Sequence, residues 1–283
     1  MADQAQNLRD LVKKKQGVRV VSIASGKGGV GKTSVAVNLA IMLSRLGVRT
    51  LIVDADFGLA NVDVMLGATS KYDISCFLRG EKTLNEIIQL GHEGVRFISG
   101  GSGIYDLLNI HEEQLAQLLE NIIKLDAPIE FIIIDTGAGI NENIMRMVLA
   151  SSETIVVTTP EPTSILDAYA LVKTIVKRDP SHPIHILINK CENNKEAKRV
   201  QEGFIEVVGR HLGKSINPLG LIMYDNEVPM SIKRQVPITV TNPGGATAKE
   251  IGHIARVALD IPSEKNSNSF LSRVFNHLLG ERK

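Results

Sequence analysis

The sequence predicts an α/β fold in which a doubly wound, mainly parallel sheet carries helices on both faces. Short apolar runs without polar alternation recur along the chain, as expected for strands that are covered on both sides. Helical stretches separate most of these runs, and a glycine-rich loop joins the first run to the first helix. With 283 residues, of which 43% are hydrophobic, the chain is long enough for one sizeable core.

The elements follow a strand, loop, helix order from the amino terminus. The first predicted strand covers residues 18–24, and the first predicted helix covers residues 33–46. The later predicted strands are residues 50–53, 95–99, 131–134, 154–158 and 185–188, and the helices between them include residues 112–125, 164–178 and 195–211. Right-handed crossovers place the loops that follow the strands at one edge of the sheet, where we expect the ligand site.

The composition disfavours several classes of function. A net charge of +1 gives no general basic field, so DNA binding would require a local basic patch. The spacing of Cys76 and Cys191 fits neither a zinc site nor a disulfide framework, which favours the cytoplasm. We expect neither export nor a membrane span, because no leader and no run of roughly 18 to 20 apolar residues is present.

A phosphate-binding loop is predicted after the first strand. Residues 26–33 fit G-x-x-x-x-G-K-T, whose glycines turn backbone N–H groups toward phosphate oxygens at the start of a helix. Lys32 would neutralise the β- and γ-phosphates, and the Thr33 hydroxyl would bind Mg²⁺. The predicted nucleotide contacts are Gly26, Lys27, Gly28, Gly29, Val30, Gly31, Lys32, Thr33 and Ser34. A flexible glycine-rich loop is the alternative, which the flanking strand and helix disfavour.

A second lysine in this loop, Lys27, has no obvious contact with the phosphates of its own subunit. With the glycines after it, it resembles the deviant Walker A motif of the MinD/ParA family of ATPases, in which this lysine crosses a dimer interface to the partner's ATP. The resemblance covers roughly residues 18–260. It implies an enzyme that hydrolyses ATP to ADP, uses Mg²⁺ and pairs with itself when ATP is bound. It also implies catalytic roles for Lys27 and Lys32 in charge compensation. A solvated loop lysine is the alternative for Lys27.

Acidic residues end two other predicted strands. Asp54 and Asp56 follow the second strand, and Asp135 precedes a loop that contains Gly137 and Gly139. The resemblance implies that Asp54 and Asp135 hold Mg²⁺ through water and that Asp56 positions the attacking water. A carboxylate such as that of Asp56 is sufficient to position the water, because phosphoryl transfer depends on orientation more than on a strong base. The alternative for Asp54 or Asp56 is a cap on the following turn.

The predicted adenine contacts lie on two later loops. Asn189 ends a strand, and Tyr224 and Asp225 lie on a second loop that faces the base in the family. An Asn after a buried strand is often only a turn residue. The preference for adenine therefore rests on the resemblance.

Residues 1–16 are predicted to form a partner-binding arm before the domain at residues 17–260. The arm matches D-Q-A-x-x-L-R, by which the flagellar FlhG-type ATPases of this family activate the GTPase FlhF. The matching residues are Asp3, Gln4, Ala5, Leu8 and Arg9. Their apolar stripe suits a short helix that is marginal alone and folds onto a partner. The resemblance implies control of flagellar number or placement, with basal-body and C-ring proteins as candidate partners. An ordinary disordered terminus is the alternative.

The last predicted elements are a flexible linker at residues 261–268 and an amphipathic helix at residues 269–283. One half of the helical wheel holds large apolar side chains, namely Phe270, Leu271, Val274, Phe275, Leu278 and Leu279. Two copies in a dimer would bind an anionic membrane surface more firmly than one, so we expect reversible attachment to the inner face of the cell membrane. A helix docked on the core is the alternative.

Two other roles within the family stay open. A ParA-like DNA-partitioning ATPase would need a basic stripe, which the near-neutral charge and the arm motif disfavour. A MinD-like division-site ATPase is disfavoured because residues 58–61 read Gly-Leu-Ala-Asn where division proteins typically have Gly-Leu-Arg-Asn. An iron–sulfur carrier would need paired cysteines, which the sequence lacks.

Overall fold

The computed structural model describes residues 18–56, 61–101, 118, 121–122 and 129–261. The predicted arm, the amphipathic helix and residues 57–60 lie outside this part of the chain, as do most of the predicted helix at residues 112–125 and of the predicted linker at residues 261–268. The elements in chain order are β1 (Arg19–Ser25), α1 (Lys32–Arg45), β2 (Thr50–Ala55), α2 (Asn61–Leu66), α3 (Ile74–Leu78), α4 (Leu84–Ile87), β3 (Ile88–Leu90), a 3-10 turn (His92–Gly94), β4 (Arg96–Ile98), β5 (Phe131–Ala138), α5 (Glu142–Ala150), β6 (Glu153–Thr158), α6 (Pro162–Arg178), β7 (Ile184–Cys191), α7 (Asn194–Leu212), β8 (Asn217–Met223), α8 (Glu227–Lys233), α9 (Ile238–Thr241) and α10 (Ala246–Asp260).

Within the described residues the strands form one sheet in the order β3-β4-β2-β5-β1-β6-β7-β8. Every neighbouring pair is parallel except β3 and β4. β1 lies in the interior of the sheet, with β5, β2, β4 and β3 on one side and β6, β7 and β8 on the other, which is a doubly wound arrangement. The predicted fold class is therefore confirmed.

Two strands were not predicted from the sequence. β3 has only three residues and pairs antiparallel at one edge of the sheet. β8 lies at the other edge, contains Pro218 and Gly220, and is only partly buried. Proline is tolerated in edge strands because one side of the strand needs no ladder hydrogen bonds. Neither strand therefore has the continuous apolar pattern of the central ones.

Helices cover both faces of the sheet, and successive side chains of a strand serve opposite faces. On one face, Ile133 of β5 belongs to a core that includes Leu39 of α1 and Ile251 of α10. On the other face, Ile132 joins Ile74 of α3. Further along that face, residues of β6 and β7 pack with α5, α6 and α7. No helix in the described ranges is long and apolar enough to cross a membrane.

A buried ion cluster lies at the amino ends of β1 and β6. The Arg19 guanidinium donates to both carboxylate oxygens of Glu153 and to the Ala258 carbonyl near the end of α10. His185 Nε2 lies 2.7 Å from Glu153 Oε2. Burial raises the pKa of Glu153, but hydrogen bonds from His185 and Arg19 outweigh it and lower the pKa to about 2. The cluster ties α10 to the amino ends of the strands, whereas the predicted ligand site lies at their carboxyl ends.

Candidate nucleotide-binding site

The glycine-rich loop connects β1 to α1, as predicted. Gly31 precedes the helix with φ 94°, in the left-handed region that favours glycine. The first turn of α1 has no acidic residue and no side-chain cap, so its N–H groups are available to an anion. Gly26 packs so closely on α6 that a Cβ there would lie 2.2 Å from the Asp167 carbonyl oxygen. The loop is thus shaped for phosphate and held against a neighbouring helix.

Lys27 of the loop contacts residues at the start of α6. Its ammonium donates to Glu161 Oε2 at 2.9 Å and to the Thr163 hydroxyl at 3.0 Å. Its side chain remains 40% exposed, and Glu161 is more exposed still. The ion pair lowers the pKa of the Glu161 carboxyl. Lys27 is therefore held at the surface, beside the start of α6, by an exposed ion pair.

Lys32 lies on the inner side of the loop and faces the carboxylates. Burial lowers the pKa of its ammonium, while the charges of Asp135 and Asp56 oppose this effect. The strand register explains why Lys32 and the carboxylates lie close together, because Asp135 of β5 is beside both Asp54 of β2 and Ile23 of β1. The carboxyl ends of these three neighbouring strands bring the predicted motifs together.

Asp135 is a fully buried acid of the site. Burial raises its pKa to about 7, although interactions with Thr33 and Lys32 lower it. Neither of its carboxylate oxygens has a hydrogen bond of good geometry within the described residues. Such a buried, under-bonded carboxylate is costly unless a cation joins it. Mg²⁺ prefers oxygen ligands, and the Asp135 carboxylate with the Thr33 hydroxyl is a suitable donor set. The residues present therefore fit Mg²⁺.

Asp54 and Asp56 lie just before the segment at residues 57–60. Asp54 is fully buried and accepts the backbone N–H groups of Asp56 and Val62, both at 3.1 Å. Burial and the charge of Asp135 raise its pKa well above the usual range. The Asp56 carboxylate accepts the Asn61 side-chain amide at 2.9 Å, and burial raises its pKa while Lys32 lowers it. Asp54 thus bonds one residue before the segment and one residue after it, and Asp56 lies close to Lys32.

The residues predicted to contact adenine have protein partners. The Asn189 side-chain amide donates to the Val30 carbonyl of the loop at 2.8 Å. The Asp225 carboxylate accepts the Glu227 backbone N–H and the Thr247 hydroxyl, whereas Tyr224 is 56% exposed. The adenine role of these residues stays a prediction.

A family model places the chain among known proteins. Residues 21–238 match the model described as the CobQ/CobB/MinD/ParA nucleotide binding domain. The chain belongs to this MinD/ParA family.

Two relatives of the MinD/ParA family match over almost the whole chain. The antiactivator FleN of Pseudomonas aeruginosa is 32% identical over 264 residues, which cover 92% of this chain and 94% of FleN. The flagellum site-determining protein YlxH of Helicobacter pylori is 31% identical over 96% of this chain and 95% of YlxH. A solved structure of MinD from Pyrococcus horikoshii, complexed with Mg-ADP, has a TM-score of 0.72 and 24% identity. It covers 86% of this chain and 96% of MinD, and this likeness shows the fold alone.

The structure brings Lys32, Thr33, Asp54, Asp56 and Asp135 together, as the motifs of the MinD/ParA family predict. Sequence reasoning missed the residues that hold Lys27, which are Glu161 and Thr163 at the start of α6. These partners lie 134 and 136 residues along the chain from Lys27, and no local pattern marks them. The predicted arm and membrane residues lie outside the described residues, so they stay predictions.

Proposed function

We propose that this chain is an ATP-hydrolysing molecular switch that pairs with a second copy of itself when ATP is bound and regulates flagellar number or placement. The likeness to FleN and YlxH over more than nine-tenths of the chain supports the flagellar role. The observation that carries the switch is that two lysines of one loop have different partners. Lys32 is buried beside the carboxylate cluster, whereas Lys27 is exposed and bonded to Glu161 at the start of α6.

The phosphate groups of ATP would bind the loop N–H groups and the Lys32 ammonium. In this buried place a positive charge interacts strongly with phosphate, because little water screens it. Mg²⁺, when bound through Thr33 and Asp135, supplies charge compensation for the phosphates and the buried carboxylates. Asp54 is a further candidate for this role through water, although both its oxygens already accept backbone N–H groups.

Hydrolysis requires a water molecule aligned with the γ-phosphorus. Asp56 is the candidate for this task, since it is half-buried, close to Lys32 and fixed by Asn61. Its carboxylate would accept a hydrogen bond from the water while the bond between the γ-phosphorus and the bridging oxygen breaks. ADP and phosphate leave, and the proton of the water ends on phosphate. Orientation is the main contribution of such a residue.

Dimerisation would require Lys27 to leave Glu161 and Thr163 and reach the nucleotide of the second copy. An exposed ion pair is screened by water and salt, so it is a weak competitor. A triphosphate in a water-poor interface offers more negative charge to the same ammonium. ATP can therefore favour the paired state.

Two predicted segments would connect this cycle to its surroundings. The arm would activate the GTPase FlhF through Gln4 and its neighbours, and the amphipathic helix would bind an anionic membrane from the cytoplasmic side. Both assignments rest on the sequence motif and the apolar stripe. Two tails in one dimer bind more firmly than one, so ATP would also control membrane attachment.

The proposal is tested by two assays on the same preparation. The first measures phosphate release from Mg-ATP, with Lys32→Ala as the control that should lose it. The second measures GTP hydrolysis by FlhF with the full chain and with a chain that lacks residues 1–9. We expect ATP turnover in both chains, but stimulation of FlhF only by the full chain. Absence of ATP turnover would refute the proposal that the chain hydrolyses ATP. Equal stimulation of FlhF by both chains would refute the role of the arm.

A further inference from the structure

We propose that Asn189 and Lys190 are positioning residues that set the direction of two consecutive peptide groups in the phosphate-binding loop. They do so by holding the Gly29 and Val30 carbonyls away from the phosphate side. This inference rests on the proposed binding of ATP at the loop, and it gives Asn189 a task different from adenine recognition.

Two hydrogen bonds hold the Gly29 and Val30 carbonyls, and together we call them the clamp. Lys190 Nζ donates to the Gly29 carbonyl at 2.7 Å, and Asn189 Nδ2 donates to the Val30 carbonyl at 2.8 Å. Both donors come from the carboxyl end of β7, about 160 residues along the chain from the loop. They approach the loop from the side of β7.

Peptide geometry turns these bonds into a preference for anions. A trans peptide group is planar, so its C=O and its N–H point in opposite directions. Holding the Gly29 carbonyl toward β7 therefore turns the Val30 N–H the other way, and the Val30 carbonyl does the same for the Gly31 N–H. A loop without the clamp could rotate a carbonyl oxygen toward the phosphates, which would repel them. The clamp prevents this rotation before the nucleotide arrives.

The surroundings of Asn189 fit its amide to this place. The residue is only 8% exposed, and its Oδ1 accepts the Lys190 backbone N–H at 2.9 Å, which orients the amide. A Cβ at residue 31 would lie 2.5 Å from Asn189 Nδ2. Glycine at residue 31 therefore serves both its left-handed φ and the room for the amide.

Lys190 supports the clamp at a cost in backbone energy. Its φ is 59°, in the left-handed region that a lysine rarely adopts. A residue held in such a conformation points to a function that requires it. The contact between its ammonium and Gly29 supplies that function. Glycine at this position would remove the ammonium and relieve the backbone, whereas methionine would remove the ammonium and keep the backbone strain. Comparing the two variants therefore separates the two effects.

The experiment compares two ligands that share phosphates and differ in the base. Affinities for Mg-ATP and for Mg-tripolyphosphate are measured by calorimetry, and the melting temperature is measured without ligand. The variants are Lys190→Gly, Lys190→Met, Lys190→Arg and Asn189→Ala, with Lys198→Ala on the exposed side of α7 as the matched control. Tripolyphosphate reports on the loop alone, because it has no base.

We expect Lys190→Gly, Lys190→Met and Asn189→Ala to lower the affinity for both ligands by the same factor. The factor should be roughly five- to tenfold, which corresponds to the loss of one hydrogen bond of this kind. Lys190→Gly should not lower the melting temperature, since glycine adopts a positive φ at little cost. Lys190→Arg should retain most of the affinity, because it still offers a charged donor, and Lys198→Ala should match the wild type.

Three results would overturn the inference. Wild-type affinity of Lys190→Gly for both ligands would show that the ammonium has no effect on the loop. Loss of ATP affinity in Asn189→Ala with unchanged tripolyphosphate affinity would show that Asn189 recognises the base. A wild-type chain that binds neither ligand would refute the proposed function as well, whereas the first two results leave that function intact.

Discussion

Replacing Asp135 by asparagine should stabilise the ligand-free protein and abolish binding of Mg-ATP. Burial raises the pKa of this carboxyl to about 7, compared with the ordinary value of 3.8. The unfolded chain therefore loses this proton at a lower pH than the folded chain. As the pH rises from about 4 to about 7, the ionisation of Asp135 lowers the stability of the wild-type protein, and above pH 7 this loss is constant. Asparagine has no proton to lose, so the variant avoids this loss.

The difference between the two pKa values sets the size of the effect. At about 1.36 kcal/mol per pKa unit, it corresponds to an upper limit on the order of 4 kcal/mol at pH 8. The variant also loses the attraction between Asp135 and Lys32. We therefore expect a pH-dependent gain of about 1 to 3 kcal/mol. A buried amide has its own desolvation cost, but that cost is the same at every pH.

The assay is urea unfolding at pH 4.5, 6, 7 and 8, without nucleotide or Mg²⁺. The gain in unfolding free energy of Asp135→Asn over the wild type should grow up to pH 7 and then stay level. Glu202→Gln, at an exposed position of α7, is the matched control and should show no such growth. A difference that does not change with pH would contradict the assignment of a buried carboxylate with a raised pKa. Retained affinity for Mg-ATP would contradict the role of Asp135 in holding Mg²⁺.

Three further predictions concern hydrolysis and the two segments outside the described residues. Asp56→Ala should lower ATP turnover about 100-fold but keep the ATP-bound dimer, because it removes water orientation and spares the phosphate contacts; phosphate release at the wild-type rate would exclude Asp56 as the catalytic carboxylate. Phe275→Glu should abolish binding to anionic liposomes, since it puts a charge in the apolar stripe; wild-type affinity would indicate a helix docked on the core. A peptide of residues 1–15 should stimulate GTP hydrolysis by FlhF, and its Gln4→Ala variant should not; failure of the peptide and of the whole chain would remove the FlhF role.

The sequence predicted the central sheet and the main site because both depend on local patterns. Five strands contain short apolar runs, namely β1, β2, β5, β6 and β7. Several of these runs end at or near residues of the predicted site, such as Asp135 and Asn189. Parallel pairing then brings those ends together without further information. Edge strands have weaker patterns, which is why β3 and β8 were missed.

Other features of the site depend on contacts between distant parts of the chain. Nothing near Lys27 indicates that Glu161 holds it, and nothing near Asn189 indicates that its amide bonds the Val30 carbonyl. The Arg19 cluster is similar, since it joins residues that are 134 and 239 positions apart. Such partners depend on how the elements pack in three dimensions, so a single sequence does not contain a local signal for them.

The central claim is that ATP makes a dimer through Lys27, and the mass of the particle in solution tests it most directly. Light scattering after size exclusion is measured for the wild type and for Lys27→Ala, each with Mg-ADP and with a slowly hydrolysed ATP analogue. We predict that the analogue doubles the mass of the wild type and leaves Lys27→Ala a monomer, although the variant still binds nucleotide. An undiminished dimer of Lys27→Ala, or a wild type that stays monomeric with the bound analogue, would contradict the account.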